Sequence, residues 1–326
     1  MKKSMILGLV LSLALSSLLA CSSSDKATKA EATSAKNMMK LLPVNAQGVI
    51  FIDAHKAMSI EVVDKAIKDE KAYKQYLEFV EKTGIDPKED LNYITAAMFK
   101  GEEGEEGVGI VNIKHDPQAL LSVIKKKAQE EDKEFLEEEY NGMNIYYSVD
   151  EGKKAGLTFL DKSNIAVGTL PGMKAVIDVF KGNKDNVYKN EELSTILKKV
   201  NKKTLVWGAV LVPPKAASEA AGNPMLPDMT SIKSVSFNID YKNKNIMLEI
   251  KGASADAEKN QQIATQLNGF KALGAMAAAE KPEIGELMNA IEISSTSEFI
   301  SISATIPEEL LTKLKGEVVP SEPEKK

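Results

Sequence analysis

The stretch Glu134–Val149, EFLEEEYNGMNIYYSV, decides the fold class. Asn141-Gly142 favours the left-handed backbone of a two-residue turn, which predicts an antiparallel hairpin of Glu134–Tyr140 against Met143–Val149. A second hairpin is written into Ser234–Lys251, where polar and apolar residues alternate on both sides of KNKN. Two such hairpins, each followed by helical periodicity, point to antiparallel sheets covered by helices.

Upstream of the first hairpin, Gly48–Asp53 (GVIFID) reads as a buried strand. Ile60, Val63, Ile67, Tyr73, Leu77 and Val80 then recur at helical spacing up to Gly84. Asp86-Pro87-Lys88-Glu89 is a capping box with proline at the first helical position. Tyr93–Phe99 and Val108–Lys114 are predicted strands, and Asp116-Pro117 opens a helix. Downstream, Leu157–Leu160 and Ile165–Gly168 extend the sheet, and Pro171 starts a helix through Phe180.

From Asn190 the same order runs again: a connecting helix, a buried strand at Thr204–Val212, and the Ser234–Lys251 hairpin. Next come a helix from Ala255 to Ala279, strands at Ile291–Ser294 and Phe299–Ile306, and a last helix opened by Pro307. Ile263, Leu267, Phe270 and Leu273 are expected on one face of the long helix. The expectation is an α+β protein with two similar lobes, 41–185 and 186–315, each an antiparallel sheet with helices on one face. Gly316–Lys326 (GEVVPSEPEKK) has the composition of a disordered tail.

The N-terminus is of another kind. Met1-Lys2-Lys3 precedes an apolar run from Met5 to Leu19, the layout of a secretory signal over residues 1–20. At about 15 residues the run is short of the roughly 20 that span a bilayer. Leu18-Leu19-Ala20-Cys21 then resembles a bacterial lipobox. That resemblance implies cleavage before Cys21, diacylglycerol on its sulfur and a further acyl chain such as palmitate on its amine. Residues 21–40 are small, polar and lysine-rich, a lipidated flexible tether some 25 Å long by random-coil scaling. Ser22 stands where an aspartate would mark inner-membrane retention, so the expected address is the outer membrane, facing the periplasm. Since Cys21 is the sole cysteine, its acylation leaves no thiol for a disulfide or a nucleophile.

The chain's net charge is −5, and its 42 basic residues are all lysine. Removing the signal with its two lysines takes the charge to −7. Without arginine there are no bidentate forks for phosphate or guanine, and an acidic lysine-only chain is no nucleic-acid binder. Leu42-Pro43, the Gly48–Asp53 strand and Gly84-Ile85-Asp86-Pro87-Lys88-Glu89-Asp90-Leu91 resemble the opening of a loose set of uncharacterised exported bacterial proteins. The resemblance implies no activity.

Asp53-Ala54-His55, with Glu61 or Asp64 nearby, is the one candidate metal or catalytic cluster. With only two histidines in the chain, the other being His115, a third convergent ligand is wanting, and these residues read as a turn and helix start. No catalytic, cofactor or metal residue is assigned. The runs Glu102-Glu103, Glu105-Glu106 and Glu137-Glu138-Glu139 read as solvated faces. Pro213–Ile232 is a long loop that should display Met225, Leu226 and Met229 to a partner. The helix bearing Gly269, Gly274, Ala275, Ala277, Ala278 and Ala279 has a small-residue face that packs on the sheet or admits a second helix or an acyl chain. The function that follows is a membrane-anchored, non-enzymatic binding or assembly module with an envelope protein or apolar ligand as partner. A carrier or sensor of lipid comes second, and a hydrolase of envelope polymers third.

Overall fold

A computed structural model describes residues 35–68, 70–101, 104–150, 152–221, 227–278 and 281–318. The signal, Cys21 and the tail beyond 318 lie outside the described residues. The chain divides into two compact units, one running to Val210 and the other starting at Leu211. Both are α+β, and among the described residues the strand ladders within them are antiparallel.

The first unit begins with β1 (Gly48–Asp53), followed by α1 (Ala54–Met58), α2 (Glu61–Ile67), α3 (Glu70–Thr83) and α4 (Pro87–Asp90). Then come β2 (Leu91–Lys100), β3 (Glu105–Ile113), α5 (Pro117–Glu130), β4 (Leu136–Tyr140), β5 (Met143–Asp150), β6 (Lys153–Phe159) and β7 (Asn164–Thr169). It closes with α6 (Leu170–Phe180), α7 (Glu191–Lys199) and β8 (Val206–Leu211). The strand order is β8-β1-β2-β3-β7-β6-β5-β4.

The β4–β5 turn forms as its sequence predicts. Tyr140 pairs with Met143, leaving Asn141 at φ 49° and Gly142 at φ 72° as the two turn residues. Its neighbour β6 crosses unusually close. A β-carbon on Gly156 would sit 1.9 Å from the Tyr146 carbonyl oxygen, so only glycine fits there.

The division between units falls later in the chain than the expected break at 185/186. Residues 186–210 are bound into the first unit by pairings far apart in sequence. Val187 N–H donates to Leu42 O at 2.9 Å. Asn190 caps α7 by accepting from Leu193 N–H, and its amide nitrogen donates to both Val44 O and Ala46 O at 3.0 Å. β8 then pairs with β1, Phe51 opposite Trp207, with the two rings stacked at 5.2 Å. Trp207 is fully buried, as are Met39, Leu42, Ile110, Ile145, Met173 and Ile177. Each such side chain contributes on the order of 1.5–3 kcal/mol on leaving water, which makes this the principal core.

The second unit comprises α8 (Pro214–Ala221), β9 (Ser234–Lys242), β10 (Asn245–Ala253), α9 (Ala257–Ala277), α10 (Pro282–Ala290), β11 (Ile291–Ser295), β12 (Phe299–Pro307) and α11 (Glu308–Val318). Its strand order is β9-β10-β12-β11. The KNKN turn also closes on two residues, Asn243 and Lys244, at φ 52° and 59°. Ile232, Ile263 and Ile300 form its core cluster, with Val212, Met229, Val235 and Leu267 packed against them.

The two units share one topology. In the first, β2-β3-β7-β6 lie side by side; in the second, β9-β10-β12-β11 do so in the corresponding order. They differ in the β4–β5 hairpin, which the first adds, and in the connection before the first hairpin. That connection is four helices in one case and α8 with a loop in the other.

Candidate interaction surface

The polar clusters singled out in the sequence are occupied by structural work. Asp53 caps α1, its carboxylate accepting from Lys56 N–H at 3.0 Å, while His55 points into solvent. Asp64 is held by Lys68 at 2.6 Å and by Lys88, and these two ammonium groups keep its carboxyl below the usual range. His115 Nδ1 lies 2.8 Å from Ile113 O, with the ring stacked on Phe159. Among the described residues no group of three or more His, Cys, Asp or Glu could hold a metal. Glu102 and Glu103 lie outside the described residues. Glu106 is buried, Glu137 accepts from Asn144 at 2.8 Å, and Glu138 pairs with Lys174 at 2.6 Å.

The segment Pro213–Ile232 is not the open loop its prolines suggest. Pro214–Ala221 is helical, because Pro214 suits the first turn and the alanines that follow are strong helix formers. Met225 and Leu226 lie outside the described residues. Met229 corrects the expectation of display: it is half-buried and packs on the Ile232, Ile263 and Ile300 cluster.

Among the described residues large apolar side chains are exposed at Tyr73, Leu77, Met98, Val149 and Met247, but the two most exposed, Leu273 and Met276, belong to α9. Its first half is fixed to the unit. Asn260 is fully buried and donates to Ser254 O at 3.3 Å and Thr296 O at 3.0 Å, and Ile263 enters the core. Beyond that point the helix turns its apolar residues outward. Phe270 is 41% exposed, Leu273 62% and Met276 75%. The expected common face of Ile263, Leu267, Phe270 and Leu273 therefore breaks up. At 100° per residue each three-residue step falls 60° short of a full turn, so the track from Phe270 through Leu273 to Met276 winds off the core side. Met276 was not legible as a surface residue from its spacing alone; the signal that accompanies it is a run without acids, Lys259–Ala279.

The small-residue face seats the neighbouring helix. A β-carbon on Gly274 would meet Met288 Sδ of α10 at 3.2 Å, whereas one on Gly269 would meet nothing within 4 Å. No residue of α10 is buried. Lys271 donates to Ile291 O, tying this end of α9 to β11. Single exposed apolar residues are ordinary; here three follow one another along one helix and form a continuous apolar strip. Among the described residues no helix is long and apolar enough to cross a membrane.

Fold and surface together define an α+β protein of internally repeated topology with an apolar helical hairpin on its second unit. Residues 77–280 match the family described as "Protein of unknown function (DUF3352)", and the chain belongs to that family. Among solved structures, crystal form III of TP0453 is similar at 11% identity and a TM-score of 0.46, over 86% of this chain and 98% of that one. Crystal form I of TP0453 is similar at 9% identity and a TM-score of 0.46, over 87% and 98%. No curated protein matches the chain.

Proposed function

We propose that this chain is an envelope lipoprotein, anchored through acylated Cys21, that acts as a non-enzymatic binding or assembly module at the membrane surface. The observation that carries the reading is Leu18-Leu19-Ala20-Cys21, placed directly behind a cationic start and a short apolar run. Two or three acyl chains hold a protein stably at a bilayer, where one alone binds reversibly. With Ser22 next in line, the outer membrane facing the periplasm is the address. The exposed apolar end of α9 supports a binding role.

The test is metabolic labelling in the native host with a clickable palmitate analogue. The wild-type chain should take up label and be cleaved before Cys21, and Cys21→Ala should do neither. Equal labelling and processing of the variant would overturn the reading.

A further inference from the structure

We propose that the outer face of α9 rests in the lipid bilayer, with Phe270, Leu273 and Met276 seated at the boundary between headgroups and acyl chains. The proposal builds on the lipoprotein reading above and adds a second, reversible membrane contact to it. Exposure rises along the helix, 41%, 62% and 75% at these three positions. Earlier on the same helix, apart from Ala257 at its start, the exposed positions are polar: Glu258, Gln261, Gln262, Thr265, Gln266 and Asn268. The change from polar to apolar falls at Gly269, so only the last two turns of α9 suit lipid. At 1.5 Å per residue those turns run about 12 Å, which is too short to span and right for lying at the interface.

Charge favours lipid over a protein partner. Lys259–Ala279 holds two lysines and no acid in a chain with 47 acids. This stretch of α9 therefore brings no carboxylate of its own to anionic headgroups when the face goes down; the nearest acids, Glu283 and Glu286, sit on the neighbouring α10. A second copy of the chain is a poorer occupant. Three part-exposed side chains offer on the order of 300 Å², well short of the roughly 800 Å² per partner that a stable dimer buries. The anchor supplies affinity; this contact sets which way the second unit faces.

Acylation leaves the mature chain without a free thiol, so one introduced cysteine reports alone. Met276→Cys and, as a control on the polar end, Gln262→Cys are labelled with an environment-sensitive fluorophore. The lipidated proteins are reconstituted in phosphatidylethanolamine–phosphatidylglycerol vesicles with or without a lipid-borne quencher. The expected result is a blue shift and loss of emission to the quencher at 276, with neither at 262. An aqueous, unquenched probe at 276 on vesicle-bound protein would overturn the proposal. So would shielding that grows with protein density and is indifferent to the quencher, since that reports a second copy. Failure of the anchor itself looks different: the wild-type chain would label at Cys21 and leave the vesicles.

Discussion

Asp178 of α6 accepts a hydrogen bond from the Tyr140 hydroxyl at 3.1 Å and joins the helix to the end of β4. Asn141 Nδ2 donates to the same oxygen at 2.8 Å, and Lys184 pairs with the other at 3.0 Å. Asp178 is only 4% exposed, so this carboxylate is satisfied by protein rather than by water. It also acts on its neighbour: burial first, and then the adjacent carboxylate, push the Tyr140 hydroxyl pKa up.

Replacing Asp178 with alanine strands a part-buried hydroxyl and amide together. The expected cost is about 2–3 kcal/mol, seen as a lower urea midpoint with unchanged slope. Asp178→Asn keeps an acceptor oxygen and should lose less. Equal stability of Asp178→Ala and wild type would show that the turn and helix are not coupled through this group.

The acid limb of stability should carry a contribution from Asp64. Its carboxyl lies below the ordinary value of 3.8 in the folded chain, chiefly through hydrogen bonds from Lys68 and Lys88. A lowered folded pKa means that the unfolded chain binds the proton first. The stabilisation is therefore complete above roughly pH 5 and disappears as pH falls through and below the ordinary value. Partial exposure of the pairs keeps it under about 1 kcal/mol. In Asp64→Asn the urea midpoint should fall less between pH 6 and pH 3 than in wild type, taking those pH values as roughly bracketing the titration. Parallel curves for the two proteins would remove Asp64 from the account.

Met229→Ser should destabilise the second unit by about 1–3 kcal/mol, since it withdraws a half-buried side chain from Ile232, Ile263 and Ile300 and leaves a hydroxyl there. Thermal unfolding monitored by far-UV circular dichroism reads the change. A silent substitution would return Met229 to the solvent side, where its loop composition had suggested it belonged.

What the sequence showed and what it hid follow from distance along the chain. Asn141-Gly142 and Asn243-Lys244 adopt left-handed turns of two residues, and each sets the register of its own hairpin locally. The capping residues Asp86 and Asp116 accept backbone N–H bonds from Lys88 and Gln118, although the Asp86 N–H makes its return bond to Asp90 rather than to Glu89, the partner that the capping-box spacing predicts. The pairing of β8 with β1 joins residues some 155 positions apart, Phe51 with Trp207. Nothing within either segment announces its partner, so the break between units was misplaced. The display of Leu273 and Met276 was hidden for a second reason. Helical spacing tells which residues share a side, not where the neighbouring sheet stops covering it.

The strand β4 ends the order of the first unit's sheet, and its sequence Leu136–Tyr140 is five residues with three consecutive glutamates. An uncovered strand margin is a template on which another chain can polymerise by main-chain pairing. Here any incoming strand would have to lie against Glu137, Glu138 and Glu139 along a margin only about 17 Å long. The first sheet is thereby guarded at this margin against fibre-like growth, a protection that matters most wherever copies of the chain are crowded together.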